Sequence, residues 1–296
     1  MKEKPFSKYQ ILANAVMIIW TLAIILPFIL LFVSSITDEN TLVANGYSFF
    51  PKKFSLASYS YIIKSGGQIL KAYGVSIGVT VVGTLLNVLL SALMAYPLSV
   101  KNLPGRNVMM FFVFFTMLFN GGIVPSYIMW TGTFHIKDTI FAQLLPNFLL
   151  SAWNVMMIRT YFTTSIPDGL YEAAEIDGAS QFTIFWKIVL PLGKPILVTM
   201  GTFAGLAYWN DWTNGLYYIV KNTGLYNVQN LLNQMVQNIQ FLTQSSNSNV
   251  TAAASTIPAT GIQMAIAFVA ILPIMLIFPS FQKYYAKGIA LGAVKG

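Results

Sequence analysis

Residues 165–195 read S-I-P-D-G-L-Y-E-A-A-E-I-D-G-A-S-Q-F-T-I-F-W-K-I-V-L-P-L-G-K-P, and the rest of the chain is understood relative to them. Asp168, Glu172, Glu175 and Asp177 fall within ten positions here, four of the nine acidic residues in the chain. A carboxylate at the bilayer centre costs about 2.5–3.5 kcal/mol on insertion scales. Four together keep this segment out of hydrocarbon, although apolar runs lie on both sides of it.

Those runs set the class. The chain has 296 residues, 56% hydrophobic and 9% charged, with a mean hydropathy of +0.65. Soluble domains are about 25% charged, so the bilayer is the solvent for fold reasoning. The net charge of +8 comes from cations in short loops beside apolar runs, which topology explains better than nucleic acid does. With no cysteine, disulfides, thiolate metal sites and cysteine nucleophiles are excluded. Lys2, Lys4 and Lys8 precede an apolar run longer than a signal-peptide core of about 7–15 residues, and that run is expected to stay as a first span.

A span needs roughly 20 apolar residues. Six runs qualify, near 11–33, 73–98, 108–130, 139–162, 195–220 and 261–281. Asn120-Gly121-Gly122 with Pro125 interrupts the third, and Trp209-Asn210-Asp211-Trp212 the fifth. With an internal N-terminus, the inside segments carry eleven of the 17 lysines and arginines and the outside segments six. The positive-inside rule then puts both termini and segment 165–194 in the cytoplasm. The expected fold is an all-α membrane protein, one transmembrane domain over residues 1–296. It has six spans and a helical loop between the fourth and fifth. Two outside segments are long: 34–72, and the amide-rich 221–260, where 225–242 can form a surface helix and 243–249 a flexible tip. Each is either a solvated connection or a docking surface. Gly74-x-x-x-Gly78 and Gly201-x-x-x-Gly205 are read as helix-packing sites, with a partner interface as the alternative.

Local signals shape the acidic segment into an elbow. Ser165 and Asp168 fit a capping box, and Pro167 falls in a first turn where its missing N–H costs little. A helix follows from about Asp168 to Asp177, stopped by Gly178. A second helix covers 180–190 and ends at Pro191. Ala173, Ala174, Gly178 and Ala179 give a small-residue surface ringed by carboxylates. Phe182, Phe185, Trp186, Ile188 and Val189 can pack back on the bundle. The segment is then either a knob for a cytoplasmic partner or an ordinary amphipathic loop.

The run Glu172-Ala173-Ala174-Glu175-Ile176-Asp177-Gly178-Ala179, followed by Ile188, Leu190-Pro191 and Lys194-Pro195, resembles the EAA loop of permease subunits of bacterial ABC importers. The resemblance covers nearly the whole chain. It is nearest to carbohydrate-type permeases for oligosaccharides such as alginate or aldouronate. Asn120-Gly121-Gly122, Arg159-Thr160-Tyr161-Phe162, Ile166-Pro167, Trp209-Asn210 and the ending Gln282-Lys283-Tyr284-Tyr285-Ala286-Lys287-Gly288 to Gly296 support it. Gly169-Leu170 departs from the Glu-Leu common in relatives. The resemblance implies that Glu172, Ala173, Ala174, Asp177, Gly178 and Ala179 dock on a separate ATPase, which uses ATP and magnesium. It also implies a second, related permease subunit, an extracytoplasmic solute-binding protein, a sugar or oligosaccharide cargo, and residence in the bacterial cytoplasmic membrane among its lipids.

No G-x-x-x-x-G-K-[ST] phosphate loop occurs, so ATP hydrolysis by that route is not expected here, nor is any cofactor or metal in this chain. No catalytic residues are expected: there is no nucleophile elbow or triad, and the lone His135, beside Lys137 and Asp138, is read as solvated or capping. The candidate substrate path is Tyr208, Trp209, Asn210, Asp211 and Trp212 with Asn214 close by, because aromatic faces suit sugar C–H surfaces and amides or carboxylates suit hydroxyls. Asn120, Asn147 and Asn154 are weaker candidates. The competing readings are an interfacial aromatic belt and an Asp211 that pairs with a partner subunit. Rival functions are the same machine carrying peptides or amino acids, a secondary transporter or channel acting without an ATPase, and a membrane scaffold.

Overall fold

The computed structural model describes residues 8–64, 66–244 and 259–293. They are mostly helical; the isolated antiparallel bridge joins Thr37 and Phe54. The chain divides into two compact units, residues 1–67 with 232–273, and residues 68–231 with 274–296.

In the first unit, α1 (Lys8–Ser35) has 28 residues, about 42 Å of helix, which exceeds a hydrocarbon core of about 30 Å. Ile18, Trp20, Ile24 and Phe28 along it are exposed, a surface that only lipid or another subunit suits. At its end Phe32 meets Phe268, ring centroids 4.9 Å apart. Short helices α2 (Glu39–Asn45) and α3 (Ala57–Lys64) follow. Lys53 pairs with Asp38 at 3.3 Å, and Ser35 Oγ and Tyr59 Oη share a hydrogen bond of 2.8 Å. The Glu39 carboxylate accepts the backbone N–H of Thr260 and of Gly261, both at 2.8 Å. It thereby satisfies two orphan donors at the start of the last helix, Ala259–Ala293, where negative charge is favoured.

The second unit holds the elbow. Its frame is α4 (Gly66–Ser99), α5 (Arg106–Leu118), α6 (Ile123–Thr133), α7 (Phe141–Leu144) and α8 (Ala152–Ser165). After these come α9 (Asp168–Ile176), α10 (Gln181–Leu192), α11 (Lys194–Asn210), α12 (Thr213–Tyr218) and the first residues of α13 (Val228–Gln244), whose remainder from Leu232 belongs to the first unit. Ala92 and Ala95 of α4 are fully buried against a cluster that includes Val155, Ile158 and Phe162 of α8. The Gly201-x-x-x-Gly205 pair packs within the unit. A Cβ on Gly201 would stand 3.3 Å from Val88, and one on Gly205 3.3 Å from Thr84 Oγ1. Gly74 and Gly78 have nothing among the described residues within 4 Å of such a Cβ.

The six runs do not become six uninterrupted helices. Among the described residues, three helices are long and apolar enough to cross a membrane alone, or up to five if each bent pair is one span. The third run bends by 110° between α5 and α6, at Asn120-Gly121-Gly122, with Gly122 at φ +84°. The run 139–162 departs most from expectation. Its helix stops at Leu144 and restarts at Ala152, because Pro146 withholds an N–H and Asn147 turns left-handed at φ +67°. The fifth run is preceded by a 78° bend where α10 meets α11 and is itself broken at Asp211. The surface helix expected over 225–242 is α13, which starts three residues later because Asn227 caps it, Oδ1 accepting from Asn230 N at 2.8 Å. The expected tip at 243–249 lies mostly outside the described residues.

Candidate functional site

Two places in the second unit carry the candidate residues. The first is the elbow. Ser165 is the last residue of α8 and not a cap, and Pro167 precedes α9 with no side-chain cap. Asp168 instead pairs with Lys101, 2.5 Å apart. The helix then ends in a Schellman arrangement: Gly178 N–H donates to the Glu175 carbonyl at 3.0 Å and Ala179 N–H to the Ala174 carbonyl at 2.9 Å. This geometry needs a left-handed residue after the last turn, and Gly178 supplies it at φ +74°. A Cβ there would be strained by roughly 1–2 kcal/mol.

The elbow's base is dry. Ala174, Ile184, Phe185 and Val189 are buried in the cluster that contains Ile158 and Phe162. Tyr171 stacks on Tyr96, centroids 6.5 Å apart, and burial pushes its hydroxyl up to about 12. Tyr96 Oη donates to Gln181 Oε1 at 2.5 Å, and Gln181 Nε2 donates to Glu175 at 2.9 Å. Ser180 caps α10 by accepting from Thr183 N. That helix does not end at Pro191. It widens into a π turn, Phe185–Val189, just before the proline, where the ring crowds the preceding turn, and runs on to Leu192. A Cβ on Gly193 would stand 2.5 Å from Phe162 and 2.9 Å from the Val189 carbonyl, so the join to α11 requires glycine.

The elbow's tip is the opposite. Glu172, Ala173, Glu175, Asp177 and Gly178 are exposed. Apolar side chains stand among them: Ile176 is 87% exposed, Phe182 66% and Trp186 45%. The six motif residues therefore divide. Ala174 is buried, Gly178 and Ala179 shape the cap, and Glu172, Ala173 and Asp177 face outward.

The second place is the break at Asp211. Tyr208, Trp209 and Asp211 are buried, whereas Asn210 and Trp212 are exposed. Tyr208 Oη donates to the Leu144 carbonyl at 2.9 Å, and Trp209 lies 6.3 Å from the Tyr73 ring. Asp211 Oδ1 accepts from Thr213 N at 3.0 Å, Thr213 Oγ1 at 2.7 Å and Asn214 N at 3.3 Å, which starts α12. Its other oxygen, Oδ2, is buried without a hydrogen-bond partner among the described residues.

Around this break runs a network of amides. Asn214 Nδ2 donates to the Pro146 carbonyl at 3.1 Å, and Asn147 Nδ2 to Asn214 Oδ1 at 3.3 Å. Asn154 Nδ2 donates to Asn87 Oδ1 at 2.7 Å, and Asn87 Nδ2 to the Phe148 carbonyl at 2.6 Å. Asn227 Nδ2 reaches the Asp211 carbonyl at 2.6 Å, and Asn230 Nδ2 the Trp212 carbonyl. Irregular backbone at membrane depth persists only where such partners exist. Sequence reasoning missed Asn87, Gln143, Asn227 and Asn230. Asn87 and Gln143 signalled only as amides in apolar runs, and Asn227 and Asn230 only as members of an amide-rich segment; neither signal names a partner. Asn120 is apart from this network, its Oδ1 accepting from Gly122 N at 2.8 Å.

Outside the spans, Asp138 sits at φ +58°. Its Oδ1 accepts from Val220 N and Lys221 N, both at 2.7 Å, and from Asn222 N at 3.2 Å. These backbone donors, that of Lys221 foremost, hold its carboxyl below the usual range. His135 nearby is exposed at φ +52°.

Known proteins share this architecture. The chain is 36% identical over 272 residues to Protein LplC of Bacillus subtilis, covering 92% of this chain and 90% of that protein. It is 36% identical over 288 residues to the polygalacturonan/rhamnogalacturonan transport system permease protein YtcP of the same organism, covering 97% and 98%. A solved bacterial ABC transporter involved in import of the acidic polysaccharide alginate contains a chain with TM-score 0.79 and 26% identity, covering 96% of this chain and 100% of that one. The family of binding-protein-dependent transport system inner membrane components matches residues 6–291, and this chain belongs to it, a multi-pass protein of the inner membrane and not a member of an enzyme family.

Proposed function

We propose that the chain is one permease half of an ATP-driven importer of a sugar or oligosaccharide, driven through the elbow by a separate ATPase. The observation that carries this is the split in the elbow. A tip of carboxylates and bare apolar side chains stands on a base locked into the bundle. Exposed Ile176, Phe182 and Trp186 are unfavourable in water and suit a protein groove, while the buried base passes a push on the tip to α4, α8 and α11. The sugar cargo is supported by the polygalacturonan/rhamnogalacturonan and alginate systems named above.

In this reading six spans cross the membrane, three of them broken or bent, and both termini and the elbow are cytoplasmic. A second, related permease completes the pathway, and a solute-binding protein delivers cargo to the outer side. ATP binding, with magnesium, closes the ATPase pair and draws the elbows together; hydrolysis resets them. The chain itself holds no cofactor. The substrate path runs by the break at Asp211. Exposed Asn210 and Trp212, with Asn120, offer the amides and aromatic face for cargo, and buried Tyr208, Trp209 and Asp211 hold them in place.

Ala173→Trp tests the coupling surface. Ala173 is exposed, so the variant inserts and folds normally, while uptake of labelled oligogalacturonide into cells falls at least tenfold and ATPase co-purification drops with it. Unchanged uptake and ATPase association would remove the elbow from this role.

A further inference from the structure

The chain has two arginines, Arg106 and Arg159. Helix α5 packs on α8, and Arg159 of α8 reaches the end of α4 at Leu98, from which the short turns of residues 100–106 lead straight to Arg106, the first residue of α5. Both side chains are half-buried. Arg159 Nε donates to the Leu98 carbonyl at 3.2 Å, which holds the guanidinium in one orientation. Its two terminal nitrogens make no hydrogen bond among the described residues.

No acid balances them there. The ion pairs among the described residues are Lys53 with Asp38 and Lys101 with Asp168, so the acid that follows α8 is already taken. The first turn of α5 has no side-chain cap, and its free N–H groups add to the positive potential. Two half-buried cations beside a helix N-terminus form a site that lacks its anion. Further along α5, Val108, Met109 and Phe112 are exposed, while Lys101 and Asn102, before Arg106, are exposed and polar. The pair thus stands where a lipid-facing apolar surface meets a polar loop. That is the level of phospholipid headgroups, and the planar guanidinium fork fits phosphate oxygens.

We propose that Arg106 and Arg159 form a headgroup site for an anionic phospholipid of the inner leaflet, its phosphate held between the first turn of α5 and the last turns of α8. This rests on the cytoplasmic placement given under Proposed function. An ATPase carboxylate is the weaker occupant, because the exposed surface that continues from Arg106 along α5, Val108, Met109 and Phe112, is apolar.

The test uses the full-length chain, purified with the subunits that co-purify with it, in mixed micelles doped with phosphatidylglycerol, cardiolipin or phosphatidylcholine. Thermal midpoint and lipid retained in native mass spectrometry are read. Phosphatidylglycerol and cardiolipin are expected to raise the midpoint and stay bound; phosphatidylcholine and millimolar inorganic phosphate are not. Arg106→Gln, which removes no hydrogen bond of Arg106's own side chain, is expected to lower apparent lipid affinity at least tenfold, and Arg106→Lys less than Arg106→Gln. Equal response to all lipids, or an unchanged response in Arg106→Gln, overturns the site. A response to phosphate equal to that to lipid overturns the lipid as its source. Loss of ATPase association in Arg106→Gln, with lipid binding intact, assigns the pair to protein contact instead. The absence of cysteine permits a separate check of side: Asn107→Cys should react with an impermeant maleimide only after cells are opened. Labelling from outside overturns the cytoplasmic placement whatever the lipid result.

Discussion

The elbow and the break at Asp211 both interrupt apolar helices with polar residues, yet they dispose of those residues in opposite ways. At the elbow, Glu172, Asp177, Ile176 and Phe182 project outward, while the backbone is closed by its own Schellman cap. At the break, Asn87, Asn154, Asn214, Asn227 and Asn230 are buried and bonded to one another or to the carbonyls of a broken helix. Polar residues in the elbow are thus available to a partner, and those at the break are consumed by the fold. A buried amide whose partner is removed costs about 1–3 kcal/mol, whereas an exposed side chain removed from a tip costs under about 0.5 kcal/mol.

This contrast can be broken at the break first. Gly215→Ala puts a methyl onto the Asn230 side chain, displacing its bonds to Trp212 and Gln143, and is expected to destabilise by about 3 kcal/mol, the upper range for overpacking. Melting of the detergent-solubilised protein checks it; a shift under a degree would mean the network yields freely. Asn214→Ala strips the donor from the Pro146 carbonyl and should cost about 2 kcal/mol, again read by melting. If it proves silent, the gap between α7 and α8 needs no amide.

Gly178→Ala belongs to the elbow and separates its shape from its surface. The left-handed cap is strained by about 1 kcal/mol, so a small loss of stability should accompany a larger loss of uptake. Full uptake would show that the cap geometry is dispensable. Asp138→Ala, at the outer loop, has the smallest effect and depends on pH. The native carboxyl is held below its ordinary value, so its contribution is full above the ordinary carboxylate range and fades as pH falls through the lowered value. The melting difference between Asp138→Ala and the parent should therefore be constant from pH 7 to about pH 5 and shrink in more acidic buffer. A difference that grows on acidification would contradict the three-donor arrangement.

Much of the elbow was legible before any coordinates. Asp168 at the start, Gly178 at the stop and Ser180 opening the next helix follow local rules of capping and backbone freedom. The supposed cap at Ser165 failed because α8 runs through it, and the supposed stop at Pro191 failed because a π turn made room. The apolar runs 11–33, 73–98 and 261–281 became parts of long helices as their length required. The run 139–162 did not. Pro146 and Asn147 were visible as breakers, but whether a helix bends or stops there depends on who takes the freed carbonyls.

The sequence by itself determined that this chain lives in the membrane, that an acidic helix begins at Asp168 and is stopped at Gly178, and which family it joins. Each of these rests on composition or on residues within a few positions of one another. The tertiary structure decided which motif residues face outward, where the apolar runs break, and that Arg159 reaches the end of α4. Those depend on contacts such as Asn87 with Phe148 or Arg159 with Leu98, each 61 residues apart. An amide or a cation will bond to any suitable group within reach, and only the packed chain fixes which group that is.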